Sequence, residues 1–443
     1  MAIEKSRLIR NILLGVFWVV STFGFISDEI IPPLADARSL VLLACDGLLV
    51  LLGLFTLRRR TDIVLIGSFL VISAVSSLFI NKLGFAFYLN GLRDFIGLLF
   101  LIPVFHYISE DAERRDALLE KLDRHFLVFL ILQALCITYQ FLKYGAGDHG
   151  GGTFGNWYSG EVSTLIYLIS FFLLQRRLDR DNLVGSIMRN KLYIILLFPT
   201  FLNETKISFV YLALYFLLFL PIDRRLFIRS VFVAPVLLVL IGFGSMVYKS
   251  VVRTDDMVGS TNIFSEEFLV NYVMMDVEEA EGDAKWNMED NEMGQADIPR
   301  VTKFLLLAQF EMEHPGSMWT GFGLGHYKGG TTMERSALLE EYDWYFVGTT
   351  PYFIHVYIQL GVIGIVWLVL FFLAAFKSYP PLFPVRNWNM HLYLLFVFFI
   401  MLVYIEILRE PVFCMVYFGL LVLSWKPADG EAETKFAEET VGG

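Results

Sequence analysis

Arginine is the residue type best suited to chemistry on a phosphate, and one arginine, Arg300, follows Pro299 at the start of the apolar-patterned stretch PRVTKFLLLAQFEM at 299–312. A guanidinium meets two phosphate oxygens with one planar fork, whereas a lysine acts as a point charge. Two further cations stand in places that packing does not ask for. Arg93 lies in Tyr88-Leu-Asn-Gly-Leu-Arg-Asp94, inside an apolar run, and Lys206 lies in the turn Asn203-Glu-Thr-Lys206. Charge inside a span usually faces a cavity or a partner, and the partner available to Arg93 is Asp46 or Asp94, a pairing that would only lock helices together. For accepting a proton at neutral pH the order of candidates is His355, His314, Glu161 and Glu204, with His149 and His326 as further imidazoles on the same side of the chain. His106, His125 and His391 map to the other helix ends, where capping or solvation is expected.

Two glycine clusters complete the set. In Gly150-Gly-Gly-Thr-Phe-Gly-Asn156 the backbone N–H groups around Gly152 and Asn156 can hold a phosphate or sugar oxygen, although a plain turn explains the same residues. Gly321-Phe-Gly-Leu-Gly325 follows no strand and is no dinucleotide fingerprint; a close-packed turn is expected, with Gly321 and Gly323 kept as candidate substrate contacts. The HExxH zinc spacing and the GxSxG elbow do not occur, so metalloprotease and serine-hydrolase chemistry have no residues to stand on. Cys45, Cys136 and Cys414 all fall in apolar runs, which argues against a disulfide framework and against a Cys/His metal site. No metal or cofactor is expected.

The elements that must position these groups are membrane helices. Of the 443 residues 56% are hydrophobic and 18% charged, against about 25% charged in an ordinary soluble domain. Apolar runs suggest spans near 10–27, 39–56, 62–80, 84–106, 125–143, 160–175, 192–202, 207–221, 230–248, 352–376, 391–408 and 411–425, the seventh and eighth forming a short hairpin around Asn203-Glu-Thr-Lys206. Lys5, Arg7 and Arg10 lead into the first run with no small-residue cleavage site, so a retained first helix is expected. With both termini cytoplasmic, 22 of the 35 Lys and Arg fall in inner segments, satisfying the positive-inside rule. The expected fold is thus an all-α polytopic membrane protein of about twelve transmembrane helices with a large periplasmic loop between the ninth and tenth. Its parts are 1–249 (helices one to nine), 250–351 (an acidic loop or flap), 352–425 (helices ten to twelve) and 426–443 (a cytoplasmic tail). The loop carries 19 acidic and 6 basic residues. That charge repels nucleic acid, and residues 299–312 within it suit an amphipathic helix along the membrane face.

Taken in order, these motifs resemble the O-antigen polymerase and ligase superfamily: Gly152-Thr-Phe-Gly-Asn156, Asn203-Glu-Thr-Lys206, Arg300, His314-Pro-Gly-Ser-Met-Trp-Thr-Gly-Phe-Gly-Leu-Gly325 and Gly361-Val-Ile-Gly364. The resemblance spans roughly residues 84–376. It implies a GT-C-like, metal-independent membrane glycosyltransferase of the bacterial inner membrane, acting at the periplasmic face on glycans linked to undecaprenyl pyrophosphate. Arg300 then matches the family's pyrophosphate-binding loop arginine, Lys206 the basic residue of its turn, and Arg93 the basic residue of a fourth-span Gly-x-Arg segment. Ligases carry a histidine eleven residues before the Gly-x-x-Gly motif, where this chain has Thr350 followed by Pro351. His355 is the nearest substitute. The expected function is therefore a polysaccharide repeat-unit polymerase of O-antigen or exopolysaccharide. The alternatives are a ligase moving finished glycan to a lipid or protein acceptor and, further off, a flippase for lipid-linked oligosaccharide, for which the chain lacks evident inverted repeats. Membrane lipid and, by resemblance, a chain-length regulator are expected partners. Trp157, Tyr158, Trp319, Tyr327, Trp344 and Tyr345 can stack on sugars, as they can simply line the membrane interface.

Overall fold

Backbone N–H and C=O groups find no water inside a bilayer, so a chain this apolar must satisfy them within its own segments, and helices do so. The computed structural model describes residues 2–145, 149–156, 158–177, 183–203, 207–219, 300–326, 350–377 and 388–423, with Leu338, Tyr342 and Tyr345. Among them every regular element is helical. Six stretches are long and apolar enough to cross a membrane: Lys5–Ile30, Pro32–Thr56, Arg60–Ile80, Phe85–Ser109, Ala112–Tyr144 and Tyr352–Ala375. Shorter apolar helices accompany them at Ser159–Gln175, Lys191–Phe201, Leu392–Tyr404 and Pro411–Leu423. The chain is an all-α, multi-pass membrane protein. The expected span at 230–248, most of the loop 250–351 and the tail 426–443 lie outside the described residues.

The helices are α1 (Ala2–Phe25), α2 (Arg38–Thr56), α3 (Arg60–Ala74), α4 (Phe85–Leu92), α5 (Ile96–Ser109), α6 (Ala112–Tyr144), α7 (Ser159–Gln175), α8 (Leu183–Arg189), α9 (Lys191–Ile195), α10 (Ile207–Phe219), α11 (Arg300–Glu313), α12 (Tyr352–Lys377), α13 (Trp388–Tyr404) and α14 (Pro411–Leu423). The longest, α6, has clear reasons to start and stop. The Asp111 carboxylate accepts the Arg114 N–H at 3.1 Å, capping its first turn, and Gly145 at φ 85° ends it.

Small residues let α2, α5 and α14 run side by side in one direction. A side chain on Gly53 would meet Phe100, one on Gly97 would meet Cys414 and Pro411, and one on Gly419 would meet Phe105. Hydroxyl pairs add directional contacts elsewhere. Thr164 donates to the Tyr211 hydroxyl (3.2 Å), Ser170 pairs with Tyr215 (3.2 Å) and Thr200 with Tyr167 (3.3 Å). These contacts fold 191–203 and 207–219 as an ascending and a descending limb along α7, the tight hairpin expected from the sequence.

Two expected spans are broken. The run 84–106 is two helices, α4 and α5, joined by a 3-10 turn at Arg93–Phe95. The run 391–408 ends as α13 at Tyr404, and a second 3-10 turn at Ile407–Arg409 leads into α14. A third interruption lies within α12, where Gly361 takes φ 63°, ψ −159°. Such breaks inside membrane helices free backbone groups and mark places where side chains and loops are brought together.

The third break has a visible cause. The segment 318–325 lies against it: Phe322 N–H donates to Ile358 O (2.8 Å), Gly323 N–H to Gln359 O (2.9 Å) and Val362 N–H to Met318 O (2.9 Å). A Cβ on Gly361 would come within 2.5 Å of Trp319 C, and one on Gly321 within 2.4 Å of Gln359 C. Gly325 meets Gly91 of α4 in the same way, and Gly323 meets Ser77. Because Gly321, Gly323, Gly325 and Gly361 all have positive φ, only glycine sits there without strain. The glycine turn therefore clasps α3, α4 and α12 together.

Candidate functional site

The two 3-10 breaks face each other and bring together the densest set of charges among the described residues. Arg93 and Asp94 are neighbours in sequence, yet the turn aims them apart. Arg93 Nε reaches Asp46 Oδ2 of α2 at 3.0 Å, while Asp94 turns inward to Arg409 Nε (3.4 Å) and His355 Nε2 (3.5 Å). Arg409 also holds Glu406, whose Oε2 stands 3.9 Å from His355 Nδ1. Asp94 and His355 are buried; Glu406 and Arg409 keep about a quarter of their side chains open, 27% and 24%.

His355 is held in one state by its neighbours. Gly325 N–H donates to Gln359 Oε1 at 3.0 Å, which fixes the amide so that its NH₂ faces His355 Nε2 at 2.8 Å. An amide N–H beside Nε2 requires a lone pair there, which leaves the ring proton on Nδ1, on the Glu406 side. The expectation of His355 as the leading base is corrected accordingly: the ring is 2% exposed and its lone pair is engaged. Glu406, with 27% of its side chain open and Arg409 beside it, is the more accessible proton acceptor of the cluster. Tyr352, one turn before His355 and stacked on it at 5.6 Å, is fully buried, and its hydroxyl has no partner among the described residues.

Glu410, in the same break, differs from Glu406. Burial raises its carboxyl above the ordinary range, Asp94 and Glu406 push the same way, and Arg409 and Arg38 oppose them. Arg38 links this edge to the first glycine cluster, donating to Asp28 Oδ1 (3.4 Å) and Phe154 O (3.1 Å) with its guanidinium 5.5 Å from the Tyr158 ring centre. Glu161, on the first turn of α7, and Glu410 both act on the Tyr158 hydroxyl, which burial first and these carboxylates next push up to about 12.

Arg300 opens α11 beside the same break. Its Nε donates to Tyr404 O at 2.9 Å and its guanidinium lies 4.0 Å over the Tyr404 ring, two residues before Glu406. Among the described residues, the Tyr404 carbonyl and the Tyr404 ring face are its anchors. One turn on, the fully buried Lys303 donates to Thr350 Oγ1 at 3.3 Å. In α11, Leu306, Leu307 and Phe310 pack on Tyr345, Ile354 and Ile358, Thr302 and Lys303 are buried as well, and Leu305 and Met312 are exposed.

The other expected residues fall elsewhere. Glu204 and Lys206 lie outside the described residues, as do Trp157, Tyr327 and Trp344; Asn203 beside them is buried and bonds Gly150 O, Ser159 O and Ser163 Oγ. The Gly152 N–H is taken by Gln140 Oε1 (2.7 Å), the Thr153 N–H by Gln133 Oε1 (2.9 Å) and the Asn156 N–H by Asp28 Oδ2 (3.2 Å), so this loop is no anion cradle and the binding role expected of Gly152 and of the Asn156 backbone is corrected. Gly321 and Gly323 are seated in the clasp against Gln359 and Ser77, and Gly321 also lines a neighbouring cavity. His314 stands away from the charge cluster, bonded to the Tyr342 hydroxyl at 3.1 Å, and is no base for it. His106 is no solvated helix end: it is buried against Asp62 at 2.9 Å. His125 accepts the Trp18 indole N–H at 2.8 Å. His149 packs on the Tyr144 ring at 5.6 Å, and burial lowers the His326 imidazole.

Glu406 and Arg409 do not stand out in the sequence because Glu406-Ile-Leu-Arg-Glu410 reads as a short turn between spans. The signal was there: three charges in five residues, closed by Pro411, in an otherwise apolar stretch. Known sequence families and curated proteins contribute no match to this chain.

Proposed function

We propose that the chain is a membrane glycosyltransferase that joins glycan carried on undecaprenyl pyrophosphate to a hydroxyl of another lipid-linked repeat unit. The observation that carries this reading is the meeting of Arg300, Arg409 and Glu406 at one helix break. In the reaction the acceptor oxygen bonds to the anomeric carbon, the bond from that carbon to the pyrophosphate breaks, and the lipid pyrophosphate leaves with the electron pair. The acceptor proton passes to the Glu406 carboxylate. Arg300, and Arg409 as it yields part of its hold on Glu406, stabilise the charge growing on the leaving group, each such contact being worth about 3 kcal/mol in a dry site. His355, its Nε2 lone pair taken by the Gln359 amide, stands beside Glu406 with Nδ1 3.9 Å from Oε2.

Twelve spans, cytoplasmic termini and a periplasmic site belong to this reading, supported by the distribution of Lys and Arg. Thr350, bonded to Lys303, occupies the position where ligases carry histidine, which favours the polymerase over the ligase. Deleting the gene and separating surface and lipid-linked glycans on a gel tests the choice. A polymerase leaves single repeat units where ladders stood. Long chains stranded on undecaprenyl pyrophosphate make it a ligase, and single units trapped on the cytoplasmic leaflet make it a flippase.

A further inference from the structure

Beside the glycine clasp lies a cavity of about 320 Å³, lined by Ile80, Asn81, His314, Gly316, Ser317, Thr320, Gly321 and Phe322. It is separate from the charge cluster, and its size falls at the small end of ligand pockets, about 300–1,000 Å³. We propose that it binds a neutral sugar residue of the glycan, away from the bond being made; the inference rests on the glycan-transfer reading and names a subsite of it.

The lining chooses among ligand classes. Among the described residues it holds no carboxylate, lysine or arginine, and two of its backbone donors are engaged: Gly321 N–H bonds Ser317 O at 2.7 Å and Ser317 N–H bonds His314 O at 3.0 Å. A pyrophosphate would meet there one imidazole and two hydroxyls but no cationic side chain to balance its charge. An acyl chain would have to strip water from an amide and two hydroxyls. A sugar needs what is present, a flat apolar surface beside short neutral polar groups. Phe322 supplies the surface, held rigid by Phe310 at 5.0 Å and by the edge of His314 at 5.5 Å. The Asn81 NH₂ donates to Ser76 O (2.9 Å) and Gly321 O (3.0 Å), which fixes the amide and leaves Oδ1 to accept a hydroxyl. The Thr320 and Ser317 hydroxyls stand on the same wall.

The cavity also has a route to the chemistry. Gly325, three residues beyond Phe322, touches Gln359, and Gln359 touches His355. Three residues reach about 10 Å, so the cavity and the charge cluster lie on the two ends of one short turn. His314, set aside as the base, acquires a role as a wall of this subsite.

The test uses the full chain in lipid nanodiscs and, as probe, the oligosaccharide released by mild acid from the lipid-linked pool of the source cell, read by saturation-transfer NMR. Gly316→Trp is the decisive variant, because Gly316 lines the cavity and a Cβ there would meet nothing within 4 Å, so a bulky side chain can be added without a backbone clash. The expected result is saturable binding to wild type, none to Gly316→Trp, and binding weakened about threefold to tenfold by Thr320→Val. Binding is unchanged in Glu406→Gln and is not displaced by inorganic pyrophosphate. No binding to wild type, equal binding to Gly316→Trp, or displacement by pyrophosphate overturns the proposal. Wild type that binds the oligosaccharide yet forms no product from lipid-linked donor sinks the transfer reading and keeps the sugar site. Product formation with an unaltered acceptor KM in Gly316→Trp does the reverse.

Discussion

The charge cluster at the facing helix breaks and the cavity beside the glycine clasp lie on either side of one short turn, 321–325, and they are built on opposite principles. In the cluster, carboxylates, guanidinia and an imidazole are packed so that each charge has a partner, with Glu406 and Arg409 left partly open. In the cavity no carboxylate or guanidinium is present among the described residues, and the aromatic walls are locked by one another. The contrast is what a reaction between two polymeric substrates requires: charge where a leaving group departs, neutral shape where a sugar is only held. The turn couples them, since Gly321 shapes the cavity and Gly325 orients the Gln359 amide that sets the His355 tautomer.

Changes inside the cluster should have the largest effects. Arg300→Ala and Arg409→Ala are each expected to lower the rate of glycan transfer by about 10²–10³-fold, the loss typical of one donor to a developing anion. Arg409→Ala should also lower the amount of folded protein, because it leaves Asp94 buried without its guanidinium, whereas Arg300→Ala should not; fluorescence-detected size exclusion separates the two. Equal activity in wild type and Arg300→Ala would remove the leaving-group role.

Breaking the clasp comes next. Gly361→Ala places a methyl group on the backbone of Trp319 at positive φ, a strain of about 1–3 kcal/mol, and should lower the melting temperature and the activity together. An unchanged melting temperature would show that the 318–325 segment is not seated in the α12 break.

Removing only the link between the two regions should act more gently. Gln359→Leu frees the His355 ring and is expected to cost roughly tenfold in kcat with little change in KM, as befits a positioning residue. Gln359→Glu, which retains an acceptor for Gly325 N–H but not the donor, should lose as much; full activity in Gln359→Glu would contradict the assigned tautomer. Asp46→Asn, at the outward-facing Arg93, should have the smallest effect on transfer. It is expected to reduce stability more than turnover, by less than a fully buried pair would show, because 32% of the Arg93 side chain remains open.

Much of this architecture was legible in the residues. Apolar run lengths gave most of the described helices, Arg300 entered through the resemblance rather than its own surroundings, and the hairpin around Asn203 followed from two short runs. The Arg93 to Asp46 pair was one of two alternatives that charge in a span allowed. What the sequence hid was partnership. Whether a glycine loop offers its N–H groups depends on residues far away, and Gln133, Gln140 and Asp28 fill those of 152–156 from other helices. Likewise nothing near His355 in sequence, apart from Gln359, says that its lone pair is engaged. Glu406 and Arg409 escaped notice because a turn between spans normally points to water, whereas here the 3-10 break folds it back onto Asp94.

The most direct test of the central claim places the purified chain in proteoliposomes with lipid-linked repeat units already on the leaflet that faces Arg300 and Glu406. Product length is then followed in wild type and in Glu406→Gln, which keeps the shape of the side chain and removes the base. The account predicts glycan lengthening by wild type and essentially none by Glu406→Gln, with both proteins equally folded. Lengthening by Glu406→Gln at the wild-type rate, or no lengthening by wild type with both substrates on the proper leaflet, would contradict it.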